Sequence, residues 1–373
     1  MCRFLVYKGK DEILLSKLIL DPTHSILTQS YDSRLRLVPP RHKSDTRRPH
    51  NGDGFGVGYY TSPDLGPEPC IFTSTIPAWN CINLERLASK TTSNLIFAHV
   101  RATTEGNLSD SNCHPFRYKS LMWMHNGGVG AWKHVKRRLV SSLGDEWFNF
   151  VQGSTDSEWC FALFLDCMDR MGHSPDAEVG ENGFPHTVLR KAMLKTIERI
   201  NALMREVPAD VRDEDTRSLL NFAVTDGNSV VCSRYVSSRT DEAASLFFSS
   251  GTSWKEQKNS NIDADKKDYK MERKDKGADI VLVASEPLTF ERDNWVTVPT
   301  NSTITIHKQT VMIHPIIDEY YDAQNPNPAH KRSSQFAVQK GQTIAGPDKA
   351  AISQPMSRDG SGLRTPTAAF ACG

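Results

Sequence analysis

The sequence lacks the cysteine and histidine spacings of disulfide frameworks and zinc sites. Its eight cysteines form no C-x-x-C pair, and no H-E-x-x-H motif occurs in the 373 residues. The glycine-rich stretch NGDGFGVGYY, residues 51–60, does not fit G-x-G-x-x-G, because Val57 and Tyr59 occupy the positions of the third glycine. The sequence therefore predicts no dinucleotide site, no metal and no cofactor.

The sequence also lacks a strong net charge and a long apolar run. Its formal charge is +1 with neutral histidines, so we predict neither nucleic acid nor an anionic membrane as a partner. No apolar run reaches the roughly 18 residues of a transmembrane helix. Charged residues from Lys8 to Glu12 interrupt the early apolar residues, which argues against a signal peptide. We expect a soluble, cytoplasmic protein.

The chain instead contains separate blocks of predicted helix and strand. Residues 94–100, NLIFAHV, read as a strand buried on both faces, and residues 187–204 as an amphipathic helix. Asp226-Gly227 lies between two β-rich runs and predicts a hairpin. Hairpins and blocks of this kind, without βαβ alternation, predict an α+β domain of antiparallel sheets covered by helices over residues 2–321.

Composition also predicts two disordered segments. Residues 255–277 form a charged insert rich in Lys and Asp, and residues 322–373 form a tail rich in Pro, Ser, Gln and Ala. At the other end of the chain, residues 2–7 read as a short strand and residues 11–20 as a helix. We assign no chemistry to the insert or to the tail.

Cys2 is the first candidate for chemistry. Once Met1 is removed, Cys2 carries a thiol and a free α-amino group, so one residue supplies both a nucleophile and a base. The reference pKa of an α-amino group, about 7.7–8.0, suits a general base near neutral pH. The alternative is that Cys2 is an inert packing residue.

Further candidates follow predicted elements, and each has a structural alternative. Arg101 follows the strand 94–100, where the alternative is a surface salt bridge. Asn126-Gly127 follows the strand-like SLMWMH and could be only a turn. Asp156 lies within a T-x-x-E capping box, where acidic residues are common because of the helix dipole.

Together these stretches resemble a known family. MCRFLVY, NGDGFGVGYY, AHVRATTEG, NCHPF, HNGGV and STDSE occur in the order found in class II glutamine amidotransferase domains, which are N-terminal-nucleophile hydrolases. VASEPL and the strands after it also resemble compact members of this family. The chain is most similar to the amidotransferase-like subunit of the fungal cytosolic complex that degrades glutathione, and resembles bacterial hydrolases of γ-glutamyl amides. The resemblance implies a four-layer αββα fold.

The resemblance also implies a role for each candidate. Cys2 would be the nucleophile, with its own α-amino group as general base. The side-chain amide of Asn126 and the backbone N–H of Gly127 would form the oxyanion hole. Arg101 would hold the α-carboxylate of the substrate, with Thr104 assisting, and Asp156 would bind the α-ammonium. This assignment is physically consistent, because a free glutamyl group carries one carboxylate and one ammonium on the same carbon.

The implied activity is hydrolysis of a γ-glutamyl amide, most simply glutathione to glutamate and cysteinylglycine. Many family members have Trp directly after the arginine, whereas this chain has Ala102, which implies a more open leaving-group side. The resemblance also implies a metallopeptidase-like partner subunit. Two alternatives stay open: a glutaminase subunit that delivers ammonia to a partner synthase, and a non-catalytic scaffold. No acceptor domain is predicted after residue 321.

Overall fold

The structure, a computed structural model, describes residues 2–31, 51–102, 107–177, 183–208, 215–257, 267–274, 277–289, 294–321 and 332–342. These residues form fifteen strands: β1 (Arg3–Leu14), β2 (Phe55–Tyr59), β3 (Cys70–Ser74), β4 (Thr92–Val100), β5 (Phe116–Tyr118), β6 (Leu121–Gly128), β7 (Leu219–Thr225), β8 (Ser229–Arg234), β9 (Phe247–Gly251), β10 (Ser253–Glu256), β11 (Tyr269–Glu272), β12 (Ile280–Ala284), β13 (Val296–Thr297), β14 (Ser302–His307) and β15 (Thr310–Pro315).

The same residues form eight α-helices: α1 (Ser16–Ile19), α2 (Ile26–Tyr31), α3 (Ile82–Ala88), α4 (Trp132–Ser142), α5 (Asp145–Phe150), α6 (Asp156–Arg170), α7 (His186–Arg205) and α8 (Gln335–Gln339). Of these described helices, none combines the length and the apolar character needed to span a membrane. The predicted helix 187–204 is confirmed as α7. The predicted Asp226-Gly227 hairpin is also confirmed, since it joins β7 to β8.

Two antiparallel sheets form the centre of the domain. One has seven strands in the order β13-β9-β12-β1-β4-β2-β3, and the other has six in the order β15-β14-β8-β7-β6-β5. β1 lies in the middle of the larger sheet, paired with β12 on one side and β4 on the other. The first described residues of the chain are therefore held between two neighbouring strands.

The layers follow from the period-two alternation of the strands. In β1, Phe4 and Val6 pack between the two sheets, whereas Leu5 and Tyr7 face the outer layer containing α1, α2 and α3. The helices α4 to α7 cover the opposite face of the six-stranded sheet, with Trp123 and Phe222 among the buried strand residues that they contact. The expected four-layer αββα arrangement of an α+β protein is confirmed.

The N-terminal prediction was only partly right. β1 continues to Leu14, and only the short α1 lies within the helix expected for residues 11–20. The reason is pairing: after an irregularity beyond Lys8, Ile13 and Leu14 return to register with Ser93 and Thr92 of β4. The inter-strand hydrogen bonds outweigh the helical spacing of the apolar residues.

The segment 255–277 also differs from the disordered loop that its composition predicted. Its described ends form a two-stranded ribbon with residues just before it, in which β10 pairs with β11. Trp254 stacks on Tyr269 with ring centroids 5.4 Å apart, and both pack with Met271 against the outer apolar layer. Burial of these three large side chains explains why the ends of a highly charged segment are ordered.

Within the tail that composition predicted to be disordered, the described residues 332–342 instead dock on the domain. Ser333 N donates to Thr240 O (2.6 Å), and Arg332 Nη1 donates to Asp241 O (3.0 Å). Phe336 of α8 is 1% exposed, packs in one cluster with Leu219, and has the Arg217 guanidinium 4.0 Å from its ring centroid. The folded domain therefore extends at least to residue 342.

Three buried histidines lie where β4 faces β6. The ring centroids of His99 and His114 are 4.1 Å apart, and His99 Nε2 lies 3.3 Å from the backbone oxygen of His125. Burial lowers the pKa of His99 to about 3 and holds the pKa of His114 well below its usual value. Burial also lowers the pKa of His125, although the nearby Asp156 carboxylate opposes this shift. The three imidazoles are therefore neutral in the folded protein at neutral pH.

These depressed pKa values predict acid lability. An unfolded imidazole titrates near pH 6.5, so between that pH and about 3 the unfolded chain binds more protons than the folded chain. The free energy of unfolding should fall with decreasing pH in this window, by up to about 1.4 kcal/mol per pH unit for His99. Urea unfolding should show that the free energy of unfolding depends less steeply on pH in His99→Gln than in the wild type. His314→Gln, at an exposed position, is the control, and an unchanged slope in His99→Gln would contradict the prediction.

Docking of residues 332–342 predicts a measurable contribution to stability. Phe336→Ala removes a buried ring and should lower the free energy of unfolding by about 3 kcal/mol. Gln339→Ala, at an exposed position of the same helix, should change it by less than about 0.5 kcal/mol. Chemical denaturation measures both values, and equal effects of the two substitutions would mean that α8 does not dock.

Candidate active site

Cys2 lies at the start of β1, next to the end of β4. The register that pairs Arg3 with Val100 brings Cys2 beside Ala102, whose backbone nitrogen lies 3.5 Å from Cys2 Sγ. The half-buried thiol is also 3.7 Å from Ala102 O. The backbone of Arg101, the residue before, is fixed by Asp53 and Gly54, through Asp53 N to Arg101 O (3.1 Å) and Arg101 N to Gly54 O (2.8 Å).

The glycine-rich strand β2 has a packing role. A Cβ atom at Gly56 would lie 2.1 Å from the backbone oxygen of His114, so only glycine allows the NCHPF segment to approach this strand. At Gly56 the structure shows close backbone approach. This contact packs the NCHPF segment against β2, which pairs with the end of β4 just before Arg101.

A buried ion pair holds the backbone next to Cys2. Arg3 Nε donates to Glu286 Oε1, and the two side chains are 1% and 0% exposed. Arg3 Nη1 also donates to Cys2 O (2.8 Å), and His24 Nε2 lies 3.3 Å from the second carboxylate oxygen of Glu286. Sequence reasoning noted VASEPL only as part of the resemblance and missed Glu286. The available signal was an acidic residue two positions after an apolar strand.

Asn126 and Gly127 lie within β6, paired with β7, and not in a turn as the alternative reading of the sequence had it. The side chain of Asn126 is buried, and its Nδ2 donates to Ser285 Oγ (3.2 Å). A Cβ atom at Gly127 would lie 1.8 Å from the backbone oxygen of Leu219, so glycine is required by this contact. Gly127 is half-buried, like Cys2, and its backbone is partly accessible.

Asp156 begins α6, and the capping prediction is confirmed at its neighbour. Thr155 is the N-cap, with its hydroxyl oxygen accepting from Glu158 N (3.4 Å). Asp156 itself is half-exposed, and its Oδ2 accepts from Val129 N (2.9 Å). This contact ties the start of α6 to the chain just after Gly127. The carboxylate is therefore oriented toward the end of β6.

Ser157 links Asp156 to His125. Ser157 Oγ lies 3.0 Å from His125 Nδ1 and 3.3 Å from Asp156 Oδ1. His125 Nε2 lies 3.0 Å from Leu219 O, an atom that can only accept, so a neutral His125 carries its proton on Nε2. Its Nδ1 is then an acceptor for the single Ser157 hydroxyl proton. That proton cannot also serve Asp156 Oδ1, which leaves this oxygen able to accept from a ligand.

Arg101 is 3% exposed, which is inconsistent with the alternative of a surface salt bridge. Its Nη1 donates to Asn107 O (3.4 Å). Asn112 then connects both sides of the site, with Nδ2 donating to Asn107 O (2.9 Å) and Oδ1 accepting from Ser154 N (2.9 Å). The segment after Arg101 is thus joined to the segment before Asp156. Sequence reasoning missed Asn112, although it lies in the quoted NCHPF motif.

Thr104, the remaining predicted substrate-binding residue, lies outside the described residues. Within the described ranges, no group of three or more His, Cys, Asp or Glu side chains could hold a metal ion. Within these ranges, hydrogen bonds connect the segments that carry the Cys2 thiol, the Asn126 amide, the Arg101 guanidinium and the Asp156 carboxylate. Such a site can perform nucleophilic attack on a carbonyl of a zwitterionic substrate.

Comparison with known proteins identifies the family of the chain. Residues 40–204 match the family model described as glutamine amidotransferases class-II. The chain is 51% identical over 373 residues to the Saccharomyces cerevisiae protein named "Probable glutamine amidotransferase DUG3", with 99% of both chains covered. It is 32% identical over 130 residues to a gamma-glutamyl-hercynylcysteine sulfoxide hydrolase of Mycobacterium tuberculosis, covering 35% of this chain and 50% of the relative.

A solved structure shows the same fold. The glutamine aminotransferase class-II domain protein from Silicibacter pomeroyi superposes with a TM-score of 0.51 at 22% sequence identity, covering 85% of this chain and 100% of the other. The near full-length identity to the yeast protein and the match to the family model decide the family. The chain belongs to the class II glutamine amidotransferases.

Proposed function

We propose that this chain hydrolyses γ-glutamyl amide bonds through a thioester on Cys2, with glutathione as its main substrate. The observation that carries the proposal is the contact of Cys2 Sγ with Ala102 N (3.5 Å), which puts a half-buried thiol beside the residue that directly follows Arg101. The similarity to a gamma-glutamyl-hercynylcysteine sulfoxide hydrolase supports a γ-glutamyl substrate, and Ala102 supports a leaving group larger than ammonia.

In the proposed first step, the α-amino group of Cys2, free after removal of Met1, takes the thiol proton, directly or through a water. The sulfur attacks the γ-carbonyl carbon and forms a tetrahedral oxyanion. Asn126 Nδ2 carries two hydrogens, of which one serves Ser285 Oγ, so the other is available to the oxyanion together with Gly127 N–H. The C–N bond then breaks, and the leaving amine of cysteinylglycine receives the proton.

In the second step, water attacks the thioester carbonyl, the C–S bond breaks, and glutamate and the Cys2 thiol are released. The substrate is held throughout by its two charges. The Arg101 guanidinium binds the α-carboxylate with a planar fork, assisted by Thr104, and Asp156 accepts from the α-ammonium. Val129 N–H holds one oxygen of Asp156 and leaves the other to the substrate.

We further propose that the chain acts in the cytoplasm as the amidotransferase-like subunit of a complex with a metallopeptidase-like partner. The partner would cleave the released cysteinylglycine. A second candidate function, glutamine hydrolysis that supplies ammonia to a synthase, is favoured by membership of the class II glutamine amidotransferases. A scaffold without activity is the third candidate, and it predicts retention of Met1.

Purified chain that intact-mass analysis shows to lack Met1 should release glutamate and cysteinylglycine from glutathione, with a higher kcat/KM than for glutamine. If the subunit needs its partner, candidate metallopeptidase-like proteins should stimulate this release. Cys2→Ala should lower turnover by at least about 10³-fold, because the nucleophile is lost. Cys81→Ala, at another half-buried cysteine, is the control and should retain activity.

The alternatives give different results in the same assay. Glutamine hydrolysis as fast as glutathione hydrolysis would favour the glutaminase subunit, particularly if an acceptor stimulated it. Retained Met1, together with full cellular function of Cys2→Ala, would favour the scaffold.

The role proposed for Asp156 predicts selectivity for the α-amino group. Asp156→Asn should lower kcat/KM for a γ-glutamyl anilide by about ten- to a hundredfold, the usual value of a charged hydrogen bond. A glutaryl anilide, which lacks the ammonium, should be a poor substrate of wild type and variant alike. Asp145→Asn, the first residue of α5, controls for the effect of a helix dipole. Equal losses on both anilides would show that Asp156 does not recognise the ammonium.

A further inference from the structure

Ser285 follows β12 and contacts both the strand that follows Cys2 and the side chain of Asn126. Its hydroxyl oxygen accepts from Phe4 N (3.1 Å), two residues after Cys2, and from Asn126 Nδ2 (3.2 Å). A hydroxyl oxygen has two lone pairs, and these two donors use both. One buried side chain thus connects the strand of the nucleophile in one sheet to the oxyanion amide in the other.

The Asn126 amide depends on this contact. Asn126 is 1% exposed, and its Oδ1 has no hydrogen-bond partner among the described residues. In the same ranges, the bond to Ser285 Oγ is the side-chain hydrogen bond that Asn126 makes. Without it, the amide could rotate about its terminal torsion, which has a broad energy profile in Asn. The direction of Nδ2 is therefore set from outside β6, by Ser285.

Ser285 itself is held rigidly. Its backbone N donates to Phe4 O (3.0 Å), so Ser285 and Phe4 are joined by two hydrogen bonds. Its backbone oxygen accepts from Ser245 Oγ (2.7 Å), and the next residue, Glu286, forms the buried ion pair with Arg3. Ser285 is 1% exposed, so water does not compete for its hydroxyl. These contacts give the hydroxyl a fixed position relative to Cys2.

We propose that Ser285 is a positioning residue that aims the Asn126 amide at the oxyanion formed on the substrate of Cys2. The inference rests on the functions proposed for Cys2 and Asn126. Ser285 touches no reacting atom and acts through Asn126. Because the same oxygen binds Phe4 N, one side chain links the strand that follows Cys2 to the amide proposed as the oxyanion donor. Preorganised donors of this kind lower the barrier because they do not need to reorient during the reaction.

Ser285→Ala should lower kcat on a γ-glutamyl amide by about ten- to a hundredfold, somewhat less than deletion of an oxyanion donor. KM should change by less than about threefold, because the charged groups that bind the substrate are untouched. Ser285→Cys carries a somewhat larger thiol that accepts hydrogen bonds weakly, so it should lose kcat similarly and provides a second variant if Ser285→Ala folds poorly. Ser249→Ala, at a buried serine on β9 whose hydroxyl has no partner among the described residues, is the matched control.

Two readouts separate positioning from general damage. In a double-mutant cycle, Ser285→Ala should cost less than about threefold in the Asn126→Ala background, because the amide that it aims is absent. The rate at which iodoacetamide alkylates Cys2, followed by mass spectrometry, should stay within about twofold of wild type in Ser285→Ala. A role limited to holding β1 would instead change the alkylation rate and would persist without Asn126.

The outcomes are distinct from failure of the proposed function. If Asn126→Ala lowers kcat but the loss caused by Ser285→Ala multiplies with it, the positioning role is wrong and the function stands. Unchanged kcat in both Ser285→Ala and Ser285→Cys would overturn the inference in the same way. Wild-type turnover of Asn126→Ala would remove Asn126 from the reaction and would reject the positioning role of Ser285, whereas hydrolysis by Cys2 would stand. Coupled losses with unchanged alkylation establish Ser285 as the residue that aims Asn126.

Discussion

The central position of β1 in the seven-stranded sheet is the constraint on which the site depends. A chain terminus is ordinarily poorly ordered, yet Cys2 must be held to within a fraction of an ångström if it is to attack a carbonyl. β1 meets this need because it pairs with β4 and β12 along its length, and because Phe4 and Val6 are buried between the sheets. Two further groups follow the neighbouring strands: Arg101 comes directly after β4, and Ser285 comes directly after β12.

Buried polar contacts hold the residues around Cys2 in place in addition to the backbone pairing of β1. The ion pair of Arg3 and Glu286 is fully buried, and such a pair contributes little net stability compared with apolar side chains of the same volume. Its consequence is geometric, since Arg3 also binds the backbone oxygen of Cys2. Asn112 likewise acts through geometry on the side proposed to bind the substrate, where it joins the segments that carry Arg101 and Asp156. The site is therefore rigid because buried polar groups must be satisfied.

Much of the fold and of the site could be predicted from local pattern. The helix α7, the Asp226-Gly227 hairpin and the N-cap at Thr155 follow from short-range spacing, and the structure contains all three. The predictions that differ involve contacts between distant segments. The ordered ribbon of β10 and β11 depends on burial of Trp254 and Tyr269 beneath outer-layer residues, and the docking of α8 depends on Phe336. Composition averages over a segment, and one buried aromatic side chain can order it.

The sequence by itself determined the chemical groups and their order: a cysteine after Met1, an arginine after a buried strand, an Asn-Gly pair and an aspartate at a helix start. Resemblance to a family then connected these groups to a reaction. Only the tertiary structure decided which groups support them. Ser285 contacts Asn126, 159 positions away, and Asn112 contacts Ser154, 42 positions away. Hydrogen bonds across two sheets leave no periodic signal in a chain. Their partners become visible when β1, β6 and β12 are brought together.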